Sequence, residues 1–235
     1  MIQYKVGRYN PSDSMSELIC DNYPMLLVMS RFGIDLGFGD DTIEQVCERS
    51  GVDTYTFLAV VNILISTNKR SVEIDYSRVS LRAVIDYLHN SHSYFLDYRL
   101  PSIREKLIAS IGQSDDVAIV IANYYDEYVS EVNRHMMYEE NTLFSYIRSL
   151  IVGEAVAGYS IGVYSRNHDN VEERLSEFKN IIIKYYPAKS SHDLNSTLYD
   201  IFSCERDLES HTFIEDFLLV PAIESLERAG DGANN

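Results

Sequence analysis

The sequence predicts an all-α fold: an antiparallel four-helix bundle preceded by a small helical domain. Three observations carry this expectation. Apolar residues recur at the three-to-four spacing of a helix over most of the chain. Only 5 prolines and 11 glycines interrupt the 235 residues, and no sustained strand-like alternation occurs. The four longest periodic stretches are each about 25–35 residues long, and short connections between such helices favour antiparallel neighbours.

The elements follow in order. Ser14–Arg31 reads as one helix, and Gly33, Gly37 and Gly39 place a turn after it. Asp41-Thr-Ile-Glu opens a short helix that Gly51 stops, and Asp53 caps a third helix, Thr54–Ser66. The polar stretch Thr67–Val79 is the linker, so residues 1–70 form the small helical domain and residues 78–228 the bundle. The bundle helices are Ser80–Ser110, Asp115–Ile151, Ile161–Tyr186 and Asp193–Arg228, with Pro187 ending the third. The tail, residues 229–235, is expected to be disordered.

Composition narrows the function classes. Hydrophobic residues at 46% and charged residues at 24% are ordinary for a soluble globular protein. The 36 acidic residues outnumber the 20 basic ones, giving a net charge of −16. Nucleic acid and anionic membranes both require a positive footprint, so neither is expected as a partner. Apolar stretches such as Phe57–Ile65 are far shorter than the ~20 residues of a membrane helix. The first fourteen residues contain no apolar export core, which points to the cytoplasm. Cys20, Cys47 and Cys204 are too few and too far apart for a disulfide framework or a zinc knuckle.

The informative residues lie on the apolar stripes of the long helices. Each stripe contains one histidine: His92, His135, His168 and His211. Two stripes also carry a glutamate one turn later, Glu139 and Glu215. A buried carboxylate without compensation costs several kcal/mol, so two in one bundle call for a cation. The spacing is regular. His92 stands 43 residues before His135, and His168 stands 43 before His211. His92, His135 and Glu139 thus recur as His168, His211 and Glu215 at an offset of 76 residues. The same offset pairs Val132 with Leu208 and Leu143 with Leu219, the signature of a duplicated helical hairpin.

Residues at i and i+4 share a helix face, so each His-x-x-x-Glu offers a nitrogen and a carboxylate to one point. Two such hairpins supply four imidazoles and two carboxylates. That is a ligand set for two first-row metal ions, with two histidines each and bridging carboxylates, which favours iron or manganese. A metal-free, hydrogen-bonded polar layer is the competing reading, and it requires the duplication to keep that layer in both copies. His89 lies three residues before His92, but its counterpart at the same offset is Ser165, so His92 is preferred. His192 follows Pro187-Ala-Lys-Ser-Ser at a helix start and reads as a surface or capping residue.

Three segments carry a family resemblance: His135–Ile147 (HMMYEENTLFSYI), Arg166–Leu175 (RNHDNVEERL) and Asp207–Ile223 (DLESHTFIEDFLLVPAI). With YLHNSHSYFLDYRLPSI in the first bundle helix, the chain resembles hemerythrin-like (HHE) proteins, and more closely the RIC family of di-iron proteins for repair of iron centres. His92, His135, Glu139, His168, His211 and Glu215 fall on that family's ligand positions, His92 after a one-residue shift. The resemblance implies two non-haem iron ions, oxo-bridged, and a role in the response to oxidative or nitrosative stress. Its implied partners are damaged iron–sulfur proteins or the small diatomic ligands O2 and NO, and it leaves a homodimer open. The alternative it allows is a module that binds or senses O2 or NO without donating iron. Ser30–Asp53 resembles the family's short N-terminal domain, but Gly37 and Phe38 stand where an adjacent cysteine pair would be. Thiol chemistry of that pair therefore does not carry over, and Cys47 reads as a small buried hydrophobe.

Overall fold

The computed structural model describes residues 8–68, 72–111, 116–154, 159–167, 171–186 and 192–233. Among them every regular element is helical; an isolated bridge, Ser14 to Thr42, is the one trace of strand pairing. The all-α expectation holds.

Near the N-terminus the expected single helix is two: α1 (Met15–Asp21) and α2 (Met25–Arg31). Pro24 causes the break. Its ring would collide with the preceding turn of a continuing helix and it has no N–H to donate, but it fits at the start of a new one. Helix α3 (Ile43–Ser50) opens on a capping box between Thr42 and Gln45 and closes on Gly51 in the left-handed region, at φ 67°. Helix α4 (Thr54–Ile65) is capped by Asp53, whose Oδ1 accepts from the Thr56 N–H at 2.8 Å. It is buried from Thr56 to Ile63, so its two polar core residues must be paired. Asn62 accepts from the Tyr9 N–H at 2.8 Å and donates to the Tyr9 carbonyl at 3.1 Å; the Thr56 hydroxyl accepts from the Ser80 N–H at 2.9 Å.

The long helices are α5 (Leu81–Ser93) with α6 (Leu100–Ile111), α7 (Asp116–Tyr138) with α8 (Phe144–Ile151), α9 (Ile161–Asn167) followed by α10 (Val171–Tyr185), and α11 (His192–Ile214) with α12 (Val220–Ala233). Three of the junctions are π-helical: Tyr94–Arg99, Glu139–Leu143 and Glu215–Leu219. Each is sealed by an N–H bonded five residues back, from Leu100 to Phe95, Phe144 to Glu139 and Val220 to Glu215. Pro101 and Pro221 each stand two residues after such a turn. A proline inside a helix frees the carbonyl four residues back, and the widened turn makes room for its ring. The freed carbonyl before Pro221 belongs to Phe217, and the Tyr76 hydroxyl donates to it at 3.4 Å. At the C-terminus α12 runs to Ala233, so residues 229–233, expected to be disordered, are helical. Extending an established helix costs far less than nucleating one, which is why weak formers are carried along.

The chain divides into two compact units. The first comprises residues 1–90, 145–165 and 213–235. In it α4 packs on the π-turn Glu215–Leu219, and the short 3-10 turn Tyr76–Arg78 packs on α12. The second comprises residues 91–144 and 166–212, four helical segments around one core. Phe95, Leu107, Tyr125, Phe178 and Leu208 are among its fully enclosed members. Polar contacts tie the same segments. The Tyr125 hydroxyl donates to the Leu100 carbonyl at 2.9 Å, Lys179 pairs with Glu205, and Arg104 grips both oxygens of Asp126 at 2.6 and 2.8 Å. No described helix is long and apolar enough to cross a membrane.

Candidate metal centre

The π-turns fix where the candidate ligands stand. His135 lies in the last turn of α7 and Glu139 is the first residue of the π-turn that follows; His211 and Glu215 repeat this at the end of α11. The 76-residue offset therefore holds in backbone geometry, since Glu139–Leu143 and Glu215–Leu219 are both π-helical. His92 sits in the last turn of α5, just ahead of the first π-turn.

His92, Glu139, His211 and Glu215 are all buried, and one donor atom from each lies within 4.8 Å of the others. The two imidazoles face each other, Nε2 to Nε2, at 3.2 Å. The Oε2 atom of Glu139 is 3.2 Å from Nε2 of His92, and its Oε1 is 3.3 Å from Nε2 of His135. One carboxylate thus directs its two oxygens at two different histidines. The rings are held from outside as well. Phe144 stacks on His92 at 5.5 Å with the planes 3° apart, and Phe95 meets His211 edge to face at 6.0 Å. Nδ1 of His92 is 2.7 Å from Oε1 of Glu140.

Of the six sequence-predicted residues, the structure brings together His92, Glu139, His211 and Glu215, with His135 beside Glu139. His168 lies outside the described residues. His89 is exposed on α5, and His192 is exposed at the first position of α11. Glu140 escaped the sequence reading. Its signal is present nonetheless: it follows the glutamate directly, and the 76-residue offset carries it onto Asp216, another carboxylate. Cys47 is wholly buried, and burial pushes its thiol up to about 12, so it stays protonated and inert.

The donor chemistry suits a first-row metal ion. Two nitrogens bound to one ion at about 2.1 Å and at right-angle to tetrahedral separation lie roughly 3.0–3.4 Å apart. The His92–His211 and His92–Glu139 distances, both 3.2 Å, fall in that range. Enclosed carboxylates also need a cation or a proton, since a bare charge in a low-dielectric interior is costly. Imidazole with carboxylate is a donor set for iron, manganese or zinc rather than for soft thiophilic metals.

Comparison with known proteins agrees with this geometry. A probable iron-sulfur cluster repair protein of Haemophilus influenzae is 26% identical over 154 residues, spanning 63% of this chain and 68% of that protein. The model of the hemerythrin HHE cation binding domain matches residues 83–223, which include all six candidate ligands and all three π-turns. With its helical bundle and its enclosed histidine–glutamate group, this chain belongs to the hemerythrin HHE cation binding domain family.

Proposed function

We propose that this chain holds two non-haem iron ions and acts in the repair of iron–sulfur clusters under oxidative or nitrosative stress. One observation carries the two-ion reading: Glu139 presents Oε2 to His92 and Oε1 to His135, at 3.2 and 3.3 Å, as a carboxylate bridging two ions would. His92, His211, Glu139 and Glu215 then hold one ion. His135, together with His168, the repeat counterpart of His92, would serve the second, which would share both glutamates. The likeness to the Haemophilus influenzae protein supports repair as the role.

When bound, the iron pair supplies one-electron redox chemistry and open coordination positions for small ligands. The protein's own residues do the rest. The neutral imidazoles leave the charge of both ferrous and ferric forms to be balanced mainly by Glu139 and Glu215. Phe144 and Phe95, both buried, pack on the rings of His92 and His211 and limit the approach of bulk water. Damaged iron–sulfur proteins are the partners in this reading, and the cytoplasm is its setting.

Elemental analysis of anaerobically purified protein tests the metal: two iron atoms per chain are expected, whereas zinc alone, or no metal, would sink the di-iron assignment. The departure at Gly37 and Phe38, where the related family carries adjacent cysteines, favours a second reading in which the centre only binds O2 or NO. Mixing the reduced protein with O2 separates the two. Oxidation with transfer of iron to an apo iron–sulfur protein supports repair, and a stable, reversible oxygenated form supports gas binding.

A further inference from the structure

Two consecutive residues grip opposite nitrogens of one imidazole. Glu139 faces Nε2 of His92 at 3.2 Å while Glu140 meets Nδ1 at 2.7 Å. On a regular α-helix neighbouring side chains diverge by about 100° and do not face the same target. Here both belong to the π-turn Glu139–Leu143, in which the chain rotates less per residue. Phe144, whose N–H seals that turn onto the Glu139 carbonyl, stacks flat on the same ring. One short stretch of chain therefore contacts both nitrogens and one face of His92.

We propose that Glu140 is a positioning residue for the metal centre: its carboxylate accepts a hydrogen bond from Nδ1–H, so that Nε2 of His92 presents a lone pair toward Glu139 and His211. This rests on the metal-binding reading above. An imidazole has two tautomers, and the wrong one puts a proton where the ion must sit. A 2.7 Å contact to a carboxylate favours the Nδ1–H form and raises the basicity of the opposite nitrogen. The stacked Phe144 restrains the plane of the ring but does not distinguish its nitrogens, so that choice falls to Glu140. At 16% side-chain exposure Glu140 is screened from bulk water yet outside the enclosed donor group. The duplication supports a functional origin, because the position that follows the second glutamate is again acidic, Asp216.

The test uses the full-length chain loaded with zinc, which is diamagnetic and takes the same donor types. Zinc affinity is measured by chelator competition for wild type, Glu140→Ala and Glu140→Gln, and the His92 ring is followed by nitrogen-15 NMR. In wild type a metal-bound Nε2 and an exchange-protected, downfield Nδ1–H proton are expected. Glu140→Ala should lose that proton signal and bind one zinc ion about 10–100-fold more weakly. Glu140→Gln keeps an acceptor oxygen, so it should keep the signal and recover most of the affinity. A Glu140→Ala protein with both signal and affinity of wild type overturns the inference. So does a wild-type protein whose His92 binds zinc through Nδ1. Should wild type itself bind no zinc and no iron, the metal-centre reading fails instead. If the alanine variant does not fold, the comparison of Glu140→Gln with wild type decides, because loss of the Nδ1–H signal there contradicts the acceptor role.

Discussion

His89 and His92 are separated by three residues of one helix, yet only His92 is enclosed, at 2% exposure. His89 points out of the core on the same helix. Three residues advance a helix by about 4.5 Å and leave the two side chains about 60° apart around its axis, enough here to bury one ring and expose the other. His92→Ala is therefore expected to lose about half the bound iron, while His89→Ala keeps the wild-type content. Metal analysis of the two variants, side by side, decides; the opposite pattern would place the ligand one turn earlier. The duplication made this choice legible, since His92 has a counterpart in His168 whereas His89 maps onto Ser165. Glu140 was not legible in the same way. Its acidic neighbourhood resembles any solvated helix face, and only its 2.7 Å contact with His92 separates it from one.

Among the elements, helix starts and stops could be read directly. Thr42 with Gln45, Gly51 and Asp53 are local signals, because a cap satisfies backbone groups within one turn of itself. The π-turns were not anticipated. A run of residues with helical periodicity looks the same whether one turn closes at four residues or five, although the prolines at 101 and 221 mark two of the three places. Between elements, Arg104 of α6 holds Asp126 of α7 through two hydrogen bonds. The Arg104 hydrogen bonds, followed by burial acting in the opposite sense and by the charge itself, leave the Asp126 carboxyl below its ordinary value of 3.8. A depressed carboxyl stabilises the fold above its unfolded value and loses that contribution as pH falls through the folded one. Both groups are nearly half exposed, so solvent screening keeps the contribution to about 0.5 kcal/mol. Urea denaturation should show Asp126→Asn less stable than wild type by about that amount at pH 7. The two proteins should converge as pH falls below 3.8. A difference that persists undiminished in acid would assign the effect to packing instead.

At the scale of the whole molecule, metal and fold are linked. A ligand bound only by the native state stabilises it by about 2.7 kcal/mol at one hundred times its dissociation constant. For a chain of 235 residues this corresponds to a rise in Tm of roughly 5–10 °C. Chelation followed by calorimetry should lower Tm by that amount and readdition of ferrous iron under argon should restore it. His135→Ala and His211→Ala should show a smaller response to chelation together with lower metal content. Identical melting curves with and without metal would mean that the enclosed donors are fully compensated within the protein.

The sequence by itself determined the all-α class, the capped helix ends near the N-terminus and the six residues worth watching, because helical period, capping and duplication are all written along the chain. It determined which face of each helix a histidine occupies. Only the tertiary structure decided which donors meet. His92 faces His211, 119 residues away, at 3.2 Å, and Glu139 divides its two oxygens between His92 and His135. Pairing across helices depends on how the helices pack and on the extra residue that each π-turn inserts, and neither leaves a periodic trace in one strand of sequence. The same holds for Glu140, whose partner is set by the width of a single turn.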